Sequence, residues 1–191
     1  MSTTGQAPIR RLPRAERREQ ILDAATQAFA RTGYSATSLD DIATEAAITR
    51  VLLYRHFDSK ADLYRAVLDR ACLRVLEEVR GEEYDEGSLV ALLDAAATDP
   101  GGFRLLFRHA AREPEFREFT DNITRLSTEL TRRSLARRVP AGPWLDWASA
   151  VIPAFTIEAV IAWLDAGQPD LPTAADRINL AIQGVIQAAQ T

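Results

Sequence analysis

Within residues 49–56 the chain places Thr49, Arg50, Tyr54, Arg55 and His56 around one strongly apolar position, Leu53. Two guanidinium groups, a phenol, an imidazole and a hydroxyl form a hydrogen-bonding inventory. Nothing nearby would turn any of them into a nucleophile. Wrapped on a helix at about 100° per residue with Leu53 inward, Arg55 and Val51 point away from the core, and Leu52 and Tyr54 flank them. Thr49, Arg50 and His56 lie nearer the inner edge. Such a face suits the major groove, where arginine pairs with guanine and apolar groups touch thymine methyls. Tyr, Thr and helix N-termini hold phosphates.

So short a helix cannot stand alone, and the residues before it supply the support. The first helix is expected over 15–33, with Ile21, Leu22, Ala25, Ala28 and Phe29 on one face and Gly33 as its C-cap. A second short helix is expected over Ser38–Ala46. Both Thr37 with Asp40 and Ser38 with Asp41 fit a capping box, and Leu39, Ile42 and Ala43 face inward. Ala46 and Ala47 mark a sharp turn, and Thr49 caps the next helix, which ends near Phe57. Ser59 with Asp62 caps a longer fourth helix to about Val79. The tight pair is a helix-turn-helix, with 49–56 as the recognition helix.

Charge is distributed to match. The net charge is −4, yet the first 18 residues carry Arg10, Arg11, Arg14, Arg17 and Arg18 against Glu16 alone. Residues 1–65 balance at +2 and residues 66–191 at −6, so a polyanion partner would meet the front end only. Enzyme chemistry is not expected. The sequence has no Gly-x-Ser-x-Gly, no glycine-rich phosphate loop and only two histidines. No cofactor and no metal site are expected, the acidic group Glu82, Glu83, Asp85 and Glu86 reading as a solvated connector. Cys72 reads as a small hydrophobe. No apolar run is expected to reach the roughly 18 residues of a membrane span. The basic N-terminus lacks the apolar stretch of a secretory signal, so the location expected is the cytoplasm.

Beyond the polar break at "RGEEYDEGS" the pattern stays helical, over about 87–98, 103–112, 115–138, 143–167 and 173–190, with no strand alternation. Pro153 should kink the fourth of these, and Thr173 with Asp176 should cap the last. Aromatic residues gather here: Phe103, Phe107, Phe116, Phe119, Trp144, Trp147, Phe155 and Trp163. They fall at helical spacings that suit either an ordinary core or the wall of a cavity. Arg104 and His109 could orient a polar ligand end, or could simply favour a helix C-terminus. Ile178, Ala181, Ile182 and Val185 form an apolar stripe with Gly184 beside it.

Residues 15–67 resemble the TetR family of bacterial one-component transcriptional repressors. The resemblance is carried by Ile21, Ala24, Ala25, Phe29, Gly33-Tyr34, Thr37-Ser38, Asp41-Ile42-Ala43, Ala46, Ile48-Thr49, Leu53-Tyr54, His56-Phe57, Ser59-Lys60 and Leu63. It implies an all-α fold in three parts: a basic arm over 1–14, a helix-turn-helix domain of three helices over 15–66, and a larger helical ligand-binding and dimerising domain over 67–191. It further implies phosphate contacts from Tyr34, Thr37 and Lys60, and a groove-facing set of Thr49, Arg50, Val51, Leu52, Tyr54, Arg55 and His56. Phe103, Phe107, His109, Phe116, Trp144, Trp147 and Phe155 are the candidates for lining a small-molecule effector site. Dimerisation would use helices near 143–167 and 173–190. Two departures stand out. Ala47 occupies a position where the family usually has Gly, so this turn should be slightly strained. Val51 and Leu52 replace smaller residues, favouring thymine-methyl contacts.

One recognition helix per chain covers too few base pairs for specificity, so a homodimer on a palindromic stretch of double-stranded DNA follows. The expected function is a regulator, a repressor released from its operator by a small, largely apolar ligand. The rival from another class is a helical protein-interaction adaptor that has lost DNA binding.

Overall fold

The computed structural model describes residues 12–79 and 86–191. Arg10, Arg11 and most of the expected basic arm lie outside the described residues, as do Glu82, Glu83 and Asp85. Among the described residues nine α-helices run in order: α1 (Arg14–Ala36), α2 (Leu39–Glu45), α3 (Arg50–Tyr54), α4 (Lys60–Glu78), α5 (Glu86–Thr98), α6 (Pro100–Arg104), α7 (Arg117–Leu135), α8 (Pro143–Asp165) and α9 (Leu171–Gln190). Between α6 and α7 the chain makes a π-helical turn, Leu105–His109, and two 3-10 turns, Ala110–Arg112 and Pro114–Phe116. The fold is all-α, and among the described residues there is no strand.

Two hydrophobic cores organise these helices. The first closes α1 to α4 around Ile21, Phe29, Ile42, Leu53, Phe57, Leu63 and Tyr64. Leu105, Ala110 and Phe116 join it from the irregular segment after α6. The second packs Leu89, Leu93, Phe103, Ile152, Val160, Ile161, Trp163, Ile178, Ile182 and Ile186 from α5, α6, α8 and α9. α4 passes through residue 66 without interruption and belongs to both cores: Val67 and Leu68 pack in the first, Val75 and Val79 against the second.

Several expected ends move. α1 is broken at Gly33, whose φ of 81° only glycine adopts without cost, and continues one turn to Ala36. The expected helix at 103–112 becomes α6 plus the π and 3-10 turns. α9 begins at Leu171, not Thr173, because Pro172 in the first turn needs no donor and the Thr173 hydroxyl turns back to the Asp170 carboxylate. α8 runs unbroken past Pro153. Its missing N–H leaves the Ser149 carbonyl without a helical donor, yet packing on both sides holds the helix. α8 is also long and apolar enough to cross a membrane by length and composition, against the expectation that no run reaches that length. Here Leu145, Ala148, Ile152, Val160 and Ile161 are buried in the second core.

Candidate nucleic-acid interface

The polar residues of the helix pair first satisfy the backbone. The Ser38 hydroxyl accepts from the Asp41 N–H at 3.1 Å while the Asp41 carboxylate accepts from the Ser38 N–H at 2.9 Å, a complete capping box. α2 ends in a Schellman turn: the Ile48 N–H reaches the Ala43 carbonyl at 2.9 Å and the Ala47 N–H the Thr44 carbonyl at 3.0 Å. Gln20 of α1 donates to the Ala46 carbonyl at 2.8 Å. Thr49 then caps α3 by accepting from the Leu52 N–H at 3.3 Å, and Ser59 caps α4 by accepting from Asp62 at 3.0 Å. α3 spans only Arg50–Tyr54, shorter than expected, with Arg55 and His56 in the turn that follows.

Leu53 and Phe57 anchor this turn in the first core, and the opposite side faces outward. Val51 is 67% exposed and Tyr54 43% exposed. Thr49, Arg50 and Arg55 are exposed, and Leu52 and His56 half-buried. Arg50 donates to the Asp40 carboxylate at 3.0 Å and to the Tyr54 hydroxyl at 3.3 Å, so α2 and α3 share a polar chain along their outer edge. The first turns of α1 come close as well. Arg18 lies 5.1 Å from the centre of the Phe57 ring. Burial pushes the His56 pKa down, and Arg14, Arg17 and Arg18 push it further the same way. These three arginines therefore belong to a helix beside the α3 turn rather than to an arm.

The three residues expected at phosphate make their contacts within the chain. Thr37 is 2% exposed, and its hydroxyl donates to the Gly33 carbonyl at 2.6 Å, which also accepts from the Thr37 N–H at 3.3 Å. Lys60 donates to the carbonyls of Tyr34 at 2.9 Å, Thr37 at 3.1 Å and Ser35 at 3.4 Å, and sits 4.5 Å from the centre of the Tyr34 ring. An ammonium has three donors, and here all three close the end of α1. Tyr34 turns its hydroxyl to Glu115 at 3.1 Å and packs its ring against Phe29, Tyr64 and Phe116. Burial and the Glu115 hydrogen bond push its pKa up to about 12. These side chains weld the first core to the segment after α6.

The effector candidates scatter. A cavity of about 210 Å³ opens between α4 and α7, floored by α5, the π turn and α8. Of the seven expected residues only Phe107 lines it. Phe103 is core, and Phe116 belongs to the first core, 1% exposed beneath Tyr34. His109 is half-buried outside the cavity, its pKa pushed down by burial and by Arg112, Arg108 and Arg104. Trp144, Trp147 and Phe155 are 61%, 39% and 36% exposed on the outer side of α8. Helical spacing puts them on a face but says nothing of which neighbour that face meets. The walls are instead Cys72, Val75, Leu76, Ile123, Leu126 and Leu130, with Pro153, Ile157 and four hydroxyl residues. The recurrence of Ile123, Ser127, Leu130 and Thr131 along α7 is legible as an inner stripe, though its apposition to α4 is not. Burial raises the Cys72 pKa, which keeps this wall neutral.

Against known proteins, residues 21–67 match the model of the bacterial regulatory proteins of the TetR family. Over that quarter of the chain it carries the helix-turn-helix segment of the TetR family. It is 37% identical over 107 residues to the helix-turn-helix transcriptional activator FasR of Mycolicibacterium smegmatis, covering 52% of this chain and 49% of that protein. It is 36% identical over 94 residues to the transcriptional repressor BepR of Brucella suis, covering 44% of this chain and 45% of that one. The matched stretches thus span about half the length of these relatives. Over nearly the whole chain the structure resembles a TetR-like transcriptional regulator from Rhodococcus sp. RHA1, with a TM-score of 0.76 and 25% identity, covering 88% of this chain and 94% of that one. The matched TetR segment includes the turn at Ala47, whose φ of 51° is a left-handed conformation that a side chain adopts at a cost.

Proposed function

We propose that this chain is a DNA-binding transcriptional regulator that lays α3 in the major groove. The observation that carries this reading is the α2–α3 pair: both helices are capped and buried on one side, and the outer side presents Val51, Tyr54 and Arg55 beside Arg14, Arg17 and Arg18. Arg55 and Val51 read base edges, and Thr49, Tyr54 and His56 contact the backbone and flanking bases. Tyr34, Thr37 and Lys60 hold the head together behind that surface. Two chains pair through the outer faces of α8 and α9, where Trp147, Phe155 and Leu180 are exposed and a side chain at Gly184 would meet open space. Pairing sets two α3 helices on successive turns of a palindromic operator.

Control comes from a small, largely apolar ligand in the cavity between α4 and α7. It releases DNA if it binds the DNA-incompetent arrangement more tightly, and DNA then weakens ligand by the same factor. α4 is the transmitter, since Lys60 at its start holds the head and Val75, Leu76 and Val79 at its end line the cavity. The irregular segment after α6 adds a second route, from Phe107 at the cavity to Phe116 under Tyr34.

The test is a gel shift with DNA flanking the chain's own gene, run beside sedimentation of the same sample. Retardation of one fragment by a dimer is expected. Arg55→Ala should lose about 1–3 kcal/mol at one base-pair position and relax preference there. Failure to prefer any flanking fragment over random duplex would refute the proposal.

A further inference from the structure

Asp40 is an acid where a polyanion is to dock. It stands in the first turn of α2 with a side chain 64% exposed, on the same edge as α3. A carboxylate there repels the phosphate backbone of every sequence equally. The local geometry gives it a different use. Its two oxygens accept from Arg50 Nη1 at 3.3 and 3.0 Å, and Arg50 Nη2 donates to the Tyr54 hydroxyl at 3.3 Å. The guanidinium carbon lies 5.6 Å from the centre of the Tyr54 ring. A hydroxyl that accepts from a guanidinium keeps its own hydrogen to give elsewhere, so Tyr54 is left as an outward donor. Untethered, Arg50 could reach any nearby phosphate, an attraction blind to sequence.

Resting on the reading of α3 as the DNA-contacting helix, we infer that Asp40 is a positioning residue that sets sequence preference: it holds Arg50 against α2, and Arg50 orients the Tyr54 hydroxyl toward the duplex. An exposed pair of this kind is weak in water. Docking of a duplex removes that water and strengthens the pair, so its effect is felt in the complex. The competing role for an acid at this position is favourable interaction with the α2 dipole, which concerns folding alone.

The experiment uses the full chain with a pool of randomised duplexes, followed by binding of the enriched duplex and a random duplex across a salt series. Asp40→Asn should bind the random duplex more tightly, with a log–log salt slope steeper by roughly 0.9, one added phosphate contact. Its preference for enriched over random duplex should fall about tenfold, the size of one lost base-specific contact. Adding Arg50→Ala to Asp40→Asn should return the slope to that of the parent chain. Arg50→Gln should flatten the same operator positions without steepening the slope, and gives the same answer should Asp40→Asn fold poorly. If Asp40→Asn lowers only the melting temperature, with slope and selected motif unchanged, Asp40 serves the dipole and the inference is overturned while the DNA-binding reading stands. If the parent chain itself selects no motif, that reading fails and this one with it.

Discussion

The two cores of this chain are built on different terms. The first is small and closed by aromatic rings, with Tyr34, Tyr64 and Phe116 in mutual contact at centroid distances of 4.7 to 5.2 Å. Its loose ends are tied by side chains from distant elements: Lys60 on three carbonyls, Gln20 on a fourth, and Arg70 on Asp23 at 2.7 Å and on the buried Thr26 hydroxyl at 2.9 Å. The second core is larger and more aliphatic, and it leaves a cavity beside α4. A head that must present α3 as one rigid body gains from clamps that hold every segment in register. Under the proposed function, a domain that takes up a ligand gains from space that its own side chains leave unfilled.

Cutting the clamp should have the largest effect. Lys60→Ala leaves three carbonyls of the α1–α2 connection without their charged donor, and should cost about 3 kcal/mol of head stability. It should weaken binding to every duplex through loss of the folded head, with little change in salt slope where the head remains folded. Calorimetry beside a salt series checks this, and a pure drop in slope with unchanged melting would restore Lys60 to a phosphate. Next in size is a packing contrast. Ala25→Leu, at a position with 0% exposure in the first core, should cost about 2 kcal/mol by overpacking. Ser127→Leu, on the wall of the cavity, should be accepted within about 0.5 kcal/mol because the added atoms enter empty space. Equal losses in denaturant titrations would erase the distinction between the two cores. The smallest effect is expected at the α2–α3 turn. Ala47→Gly should stabilise the head by about 1 kcal/mol, since glycine adopts the left-handed φ of 51° freely. Unchanged stability would mean the strain is offset by the entropy that glycine loses on folding.

What was legible in the linear chain follows the range of the interaction. The capping residues Ser38, Thr49 and Ser59 each accept from an N–H three residues on, and each was readable from its neighbours. The same holds for the burial of Leu53, Phe57 and Ile42. Thr37 shows where such reading stops. It fits a capping box as well as Ser38 does, yet the Gly33 break turns its hydroxyl inward, and one residue of register decides between a cap and a core. The family resemblance implies a phosphate contact from Lys60. Lys60 is spent instead on carbonyls 23 to 26 positions earlier.

The sequence by itself determined the all-α character, the capped α2–α3 pair and the outward set around Val51, Tyr54 and Arg55. Caps, helical periods and tight turns are settled within about four residues, where the chain's own spacing brings the partners together. Only the tertiary structure decided that Phe116 belongs under Tyr34, that Trp144, Trp147 and Phe155 face outward, and that leucines and hydroxyls of α4 and α7 wall the cavity. An apolar stripe can bury itself against any other apolar surface, because the hydrophobic effect carries no direction. Which surface it meets is chosen by how whole helices pack.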